Sequence, residues 1–468
     1  MIGAMLTLAL LQHPSGRSQA PPRPVQGRDT TAGRPCKIVV DTVGHYGRQV
    51  EVRPGETNLF AGGGVRGHCQ GTASTITADS LAWYAGEGRL DLLGGVQIRD
   101  SAMSLDAVTV NYFVRQERLD AHKNVVAVSR ANGSVLRGPN LVYYRVVRGV
   151  RDTMEMYASS RPTIEYRSVG DSGEPYIIVG DRVRTKGNDR MWAGGSVTID
   201  RSDFAASADS MMRDEAAGRS VLVGKPRVQG KGPRGYVLTG RRIELGLNGR
   251  EVRVIKALGA GSATSTDWHL TADTIHFLME RRKLQRAFAW GDSTRPRAVS
   301  TRHTIEADSL ALDAPDEVLT EARAFGHALS TSQGDTTGDP SAGRNWMTGD
   351  TITAHWATAP TRSTATKTTA TQLQHLVARG SARALTHMRN AHDSTVSAPS
   401  LNYSRGTVID VTFRGDSIRQ VLVTGRADGI ELEPVPPPPP PTDSTKRAKP
   451  ATRPPASSPP PSPRRGRS

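Results

Sequence analysis

Two short patterns alternate along most of this chain, and together they leave room for little except stacked β-strands. The first is a small residue, Asp, Ser or Thr, then an aliphatic, as in Ala78-Asp79-Ser80-Leu81, Ala208-Asp209-Ser210-Met211, Ala272-Asp273-Thr274-Ile275, Ala307-Asp308-Ser309-Leu310 and Gly349-Asp350-Thr351-Ile352. The second is an alternating apolar run that reaches glycine and resumes, as in Leu90-Asp91-Leu92-Leu93-Gly94-Gly95-Val96-Gln97-Ile98 and Met191-Trp192-Ala193-Gly194-Gly195-Ser196-Val197. Apolar residues at period two put one face of a strand inward. Glycine then marks a bend or bulge, because it accepts backbone angles that other residues avoid. The Asp is read as a turn former that closes a turn before the next strand. Such a unit cannot bury its apolar face alone, so successive units must stack. A carboxylate repeated along the whole chain is architectural rather than catalytic.

Composition agrees with a thin, stacked protein. The 468 residues are only 36% hydrophobic and 5% aromatic, a poor supply for one large globular core. No long stretch holds apolar residues at helical spacing. Asn132-Gly133 and Asn248-Gly249 are expected to be two-residue hairpin turns, and 331–345 and 359–371 to be long loops. The expected organisation is a signal segment over 1–20, a lead-in over 21–54, a first β stack over 55–170 and further β repeats over 171–432. A break is expected near Gly170 to Glu174. A Pro-rich basic tail over 433–468 has almost nothing to bury.

The stretch from Ile76 through Ile98, continuing through Leu105-Asp106-Ala107 and Leu119-Asp120-Ala121-His122-Lys123-Asn124-Val125, resembles the OstA/LptA-like domain of lipopolysaccharide export. The likeness is best from about Leu59 to Tyr166 and recurs to Gly429. It implies an all-β, folded-over β-jellyroll whose sheets enclose an apolar groove for acyl chains. It also implies a periplasmic protein, associated with the outer membrane, that joins head to tail with itself, with other bridge components or with an outer-membrane barrel.

Features outside the repeats refine this reading. Met1 to Leu11 is apolar, and Ser18-Gln19-Ala20 precedes Pro21-Pro22, which suits a secretory signal that lacks its positive n-region; a disordered N-terminus is the alternative. Cys36 and Cys69 are the only cysteines. They form one bridge or stay free, and spacing alone does not choose. The net charge of +16 permits an anionic partner. Nucleic acid is disfavoured by the scarce aromatics and the export signal. Gly62 to Gly67 satisfies G-x-G-x-x-G, but a strand rather than a helix follows it. His68 beside Cys69 is too few ligands for zinc. No other catalytic motif is present, so neither enzymatic activity nor a cofactor is expected. Trp192, Trp268 and Trp346 lie beside repeat motifs and are assigned to core or groove packing.

The functional expectation is a bridge that binds lipopolysaccharide or a similar anionic lipid. Leu81, Leu90, Leu92, Val96, Ile98, Leu105, Val108, Val110, Val125 and Leu141 are assigned to the inward face, where acyl burial would contribute about 0.8 kcal/mol per methylene. Arg66, Arg99, Arg115, Arg118 and Lys123 are assigned to the rim, for lipid phosphate. The rivals are a structural or adhesive β-solenoid with no groove, and a β-helix enzyme acting on polysaccharide.

Overall fold

The computed structural model describes residues 36–433, apart from 171, 250, 301, 333–343, 360–369, 389–399 and 416. Those residues form one 30-stranded sheet. The N-terminal strands are β1 (Ile38–Val43), β2 (Tyr46–Arg53), β3 (Glu56–Cys69), β4 (Thr75–Tyr84), β5 (Arg89–Arg99), β6 (Met103–Phe113), β7 (Arg118–Ser129) and β8 (Val135–Tyr144). From β3 to β8 each strand pairs antiparallel with the next. The all-β expectation is met.

Every long strand is bent at its middle. In β5, Leu93 pairs with Thr109 and Val96 with Ala107, so Gly94 and Gly95 stand against the single residue Val108. Both glycines have positive φ, +77° and +52°. Two left-handed residues against one make a bulge that turns the strand sharply. The same pair of positive-φ residues recurs at Gly63-Gly64, Gly195-Ser196, Gly224-Lys225, Gly326-His327, Gly380-Ser381 and Gly425-Arg426. Neighbouring bends pair across the ladder, so they form a hinge line along which the sheet folds into two blades.

The Asp motifs lie on this hinge, which corrects their reading as turn formers ahead of a strand. Asp79 is mid-strand in β4, and its side chain covers Gly94 of β5 so closely that a Cβ on Gly94 would overlap its carboxylate. Asp181 covers Gly195 in the same way, Asp209 covers Gly224, Asp308 covers Gly326 and Asp350 covers Gly380. The Asp on one strand therefore accounts for the Gly on the next. Two corners lack both partners. Lys123-Asn124 follows a bend carrying Val108, and Ser160-Arg161 follows one carrying Pro139. Asp273 shows what else the carboxylate does. It accepts the backbone N–H groups of Thr294 (3.0 Å) and Ser293 (2.7 Å), which hold its carboxyl below the usual range.

Several expected boundaries move. The lead-in from Ile38 is already sheet, since β1 and β2 both pair with β3. The ladder also crosses the expected break near Gly170 to Glu174, because Thr163–Tyr166 pairs with Tyr176–Val179. Asn132-Gly133 is not a two-residue turn; it lies in a longer loop where Asn132 accepts the N–H of Ser134. Asn248 pairs with Glu251, so that turn falls one residue later than expected. Residues 1–35 and 434–468, with the expected signal and nearly all of the tail, lie outside the described residues, as does most of each expected long loop.

Cys36 and Cys69 are joined by a disulfide, with their Cα atoms 5.2 Å apart. It fastens the chain ahead of β1 to the end of β3, where Ile38 is already paired with Cys69. Replacing both cysteines with serine should lower unfolding stability by about 2–4 kcal/mol, from the loop freed in the unfolded chain. Urea unfolding of the variant beside the wild type measures it; an unchanged midpoint would mean that the ladder alone fixes this end.

A closed apolar interior as the candidate functional site

Folding along the hinge brings one face of each blade against the other. In β5, Leu90, Leu92 and Val96 are no more than 2% exposed, whereas Leu93 on the outer face is 44% exposed. Each such aliphatic contributes about 1.5–3 kcal/mol. One continuous core runs from Cys36 to Phe413. Of the ten inward candidates, Leu81, Leu90, Leu92, Val96, Leu105, Val110, Val125 and Leu141 are buried there, and Ile98 packs on its edge. Val108 is the exception. The bend shifts the register between Asp106 and Thr109, so Ala107 takes the inner place and Val108 turns outward.

The two blades end at two lips that face each other across a mouth, and they are sheared. Cys36, ahead of β1 on one lip, meets Glu117, after β6 on the other. That offset of about four strands amounts to on the order of 20 Å.

Among the described residues, buried charged groups, Glu117, Arg213 and Glu317, stitch the lips together at three places. At the first, Glu117 accepts the Cys36 N–H (2.7 Å), the Tyr112 hydroxyl (2.6 Å) and Arg145 (3.3 Å). Burial, then the Glu117 contact, pushes the Tyr112 hydroxyl well above its usual range. At the second, Glu215 pairs with Arg213 and accepts the Tyr166 hydroxyl (2.8 Å), while Arg213 reaches Ser168 (3.4 Å) and lies 4.6 Å from the Tyr166 ring centre. At the third, buried Glu317 accepts the Arg234 backbone N–H, and burial raises its carboxyl pKa. Glu117 and Glu317 both have positive φ, +48° and +71°, at the ends of 3-10 turns. At the first two latches the buried charge, Glu117 or Arg213, meets several polar partners, the condition under which such a group is tolerated.

Between the blades the interior is nearly full. One void of about 60 Å³ is lined by Ala102, Met103, Ala127, Met154, Met156 and Met191 among others, and one of about 30 Å³ by Cys36, Leu92, Met103, Tyr112 and Arg145 among others. Both are far below the roughly 300 Å³ of a ligand pocket. An acyl chain enters only if side chains that fill the interior move aside.

The five rim candidates do not converge. Arg66 is exposed on the outer face of β3. Arg99 donates to the Leu105 carbonyl (2.9 Å) and pairs with Asp106 (2.6 Å). Arg115 lies exposed in the turn after β6, and Arg118 clamps Asp120 with two bonds of 2.9 and 2.7 Å. Lys123 sits at the hinge, the far side from the mouth. They form no common phosphate site. His68 pairs with Asp41 at 2.9 Å. Trp268 is in the core, but Trp192 lies on the outer face beside Arg184, 5.3 Å from ring centre to guanidinium. The latches and the methionines are what sequence reasoning missed. Cys36 and Glu117 are 81 residues apart, and nothing local to either marks the other.

No protein-family model matches the chain, and no curated protein does. Among solved structures it is similar to LptH from Pseudomonas aeruginosa, described as the LptA homologous periplasmic component of the conserved lipopolysaccharide transport device. The identity is 16%, over 31% of this chain and 97% of that chain, with a TM-score of 0.23. No helix among the described residues is long and apolar enough to cross a membrane.

Proposed function

We propose that this chain is a non-catalytic periplasmic carrier that takes the hydrocarbon of a lipopolysaccharide-like anionic lipid between its two blades and passes it toward the outer membrane. The supporting observation is the unbroken apolar interior, shared by both blades and bordered by lips held through discrete polar latches. A strip of this kind gains about 0.8 kcal/mol per methylene buried, and roughly twenty strands stacked in each blade give it a reach on the order of 100 Å. Its two ends suit end-to-end contact with a further bridge component, an outer-membrane barrel or a second copy. Tyr46 and Val52 are 60% and 54% exposed at one end, and Ile430 and Leu432 are 61% and 59% exposed at the other.

The full interior favours a second reading, a structural spacer that binds nothing. Mass spectrometry of lipid co-purifying with the protein from the periplasm separates the two. Acyl-chain lipid in stoichiometric amount supports the carrier, and lipid-free protein that also refuses added lipid supports the spacer.

A further inference from the structure

The mouth is not closed in the same way along its length. From the Glu215 latch to the strands around the Glu317 latch the lips are filled by aromatic rings. Tyr236 and Trp268 pack edge-on against Phe277, with ring centres 5.0 and 6.3 Å away, and Tyr176 packs against Phe204 at 6.0 Å. Between the latches at Glu117 and Glu215 the filling is different. There Ala102 and Met103 of one lip face Met154, Met156 and Met191 of the other, around the 60 Å³ void. Methionine is unbranched and adapts to what it contacts, whereas interlocked rings hold one geometry. Exposed Asn188 and Arg190, with half-buried Asn132, also line this stretch. It therefore combines a deformable apolar wall with groups able to hold a polar head in water. The second void adjoins it through Met103, which lines both.

We infer that the methionine-lined stretch between the Glu117 and Glu215 latches is the portal by which lipid hydrocarbon enters the interior, with the polar head left outside at Asn188 and Arg190 and the hydrocarbon between the blades. The inference rests on the carrier reading and adds to it the place where the lipid enters and the side chains that yield. Latches on both sides confine the opening, so only the methionine wall has to move. The hydrocarbon then displaces methionine side chains rather than breaking the buried polar contacts of Glu117 or Arg213.

The test uses the full chain and cis-parinaric acid, a fluorescent fatty acid, with stopped-flow association. Ala102→Trp plugs the lip of the portal, and Ala298→Trp places the same bulk on the same lip beyond the Glu215 latch. Thermal unfolding of both variants accompanies the kinetics. The expected result is saturable binding by the wild type, an association rate lowered about tenfold by Ala102→Trp, and little change with Ala298→Trp, since a blocked conformational step acts on the on-rate. Met154→Ala, which widens the slot without adding bulk, should raise the rate and covers the case in which Ala102→Trp fails to fold. Saturable wild-type binding that neither Ala102→Trp nor Met154→Ala alters in rate would overturn the portal and leave the carrier standing. Absence of saturable wild-type binding would overturn both.

Discussion

Leu92→Asp and Val110→Asp should each abolish cooperative folding or cut stability by several kcal/mol, and neither should leave a folded protein that has merely lost a ligand. Leu92 is 1% exposed and Val110 is fully buried, each paired across the ladder with the other. A carboxylate at either position sits among buried aliphatic side chains and must be desolvated or protonated. The cost falls in the range reserved for buried unpaired charge, against a total stability of about 5–15 kcal/mol for an ordinary domain. An open groove would behave differently, because in the lipid-free protein its wall faces water and a charge there stays solvated. Thr109→Asp is the control, at an outward position beside Leu93 and His122, with an expected effect within about 1 kcal/mol. Asp91 is a poor control despite its parity, since it already serves Arg89 at 3.1 Å and Asn111 at 2.5 Å. Urea midpoints decide the matter. Wild-type midpoints for both inward variants would show that the blades do not pack, and the spacer reading would then lose its support.

The legible part of this fold is what repeats locally. Period two set the inner face correctly at Leu90, Leu92, Val96 and Leu105, because each of those strands is half-buried along its whole length. The pattern failed at Val108, where an extra residue at the bend reverses parity, and no composition signal marks that position. Glycine correctly marked the bends, but the Asp motifs were placed in the wrong element. Asp forms turns in general; here it sits mid-strand, and its partner glycine is on the neighbouring strand. The latches were invisible for a related reason. Glu117, Glu215 and Glu317 follow their strands like any solvated turn residue, and only the shear between the blades brings Cys36, Tyr166 and Arg234 to them. The arginines misled in the opposite direction. Arg99 and Arg118 are committed to Asp106 and Asp120 close by in sequence, so local pairing had already used the charge assigned to lipid phosphate.

The pairing of Asp with Gly across the hinge makes a prediction with two opposite signs. Gly94→Val should destabilise the protein by about 3–5 kcal/mol, because a β-branched residue is forced to φ +77° and its Cβ runs into the Asp79 carboxylate. The two contributions separate in a double-mutant cycle. Asp79→Gly removes the overlap but leaves the backbone strain, so adding it to Gly94→Val should recover roughly 1–2 kcal/mol as a coupling energy. At Lys123 the situation is reversed. That corner holds a left-handed lysine at φ +65° opposite Val108, with no Asp above it. Lys123→Gly relieves the strain and has no clash to avoid, so stability should stay level or rise by up to about 1 kcal/mol. Glycine at the two corners thus has different causes for being present or absent, and thermal melts of four variants resolve them. If the cycle gives no coupling between Asp79 and Gly94, the carboxylate merely fills space that the bend leaves, and the glycine is there for its backbone alone.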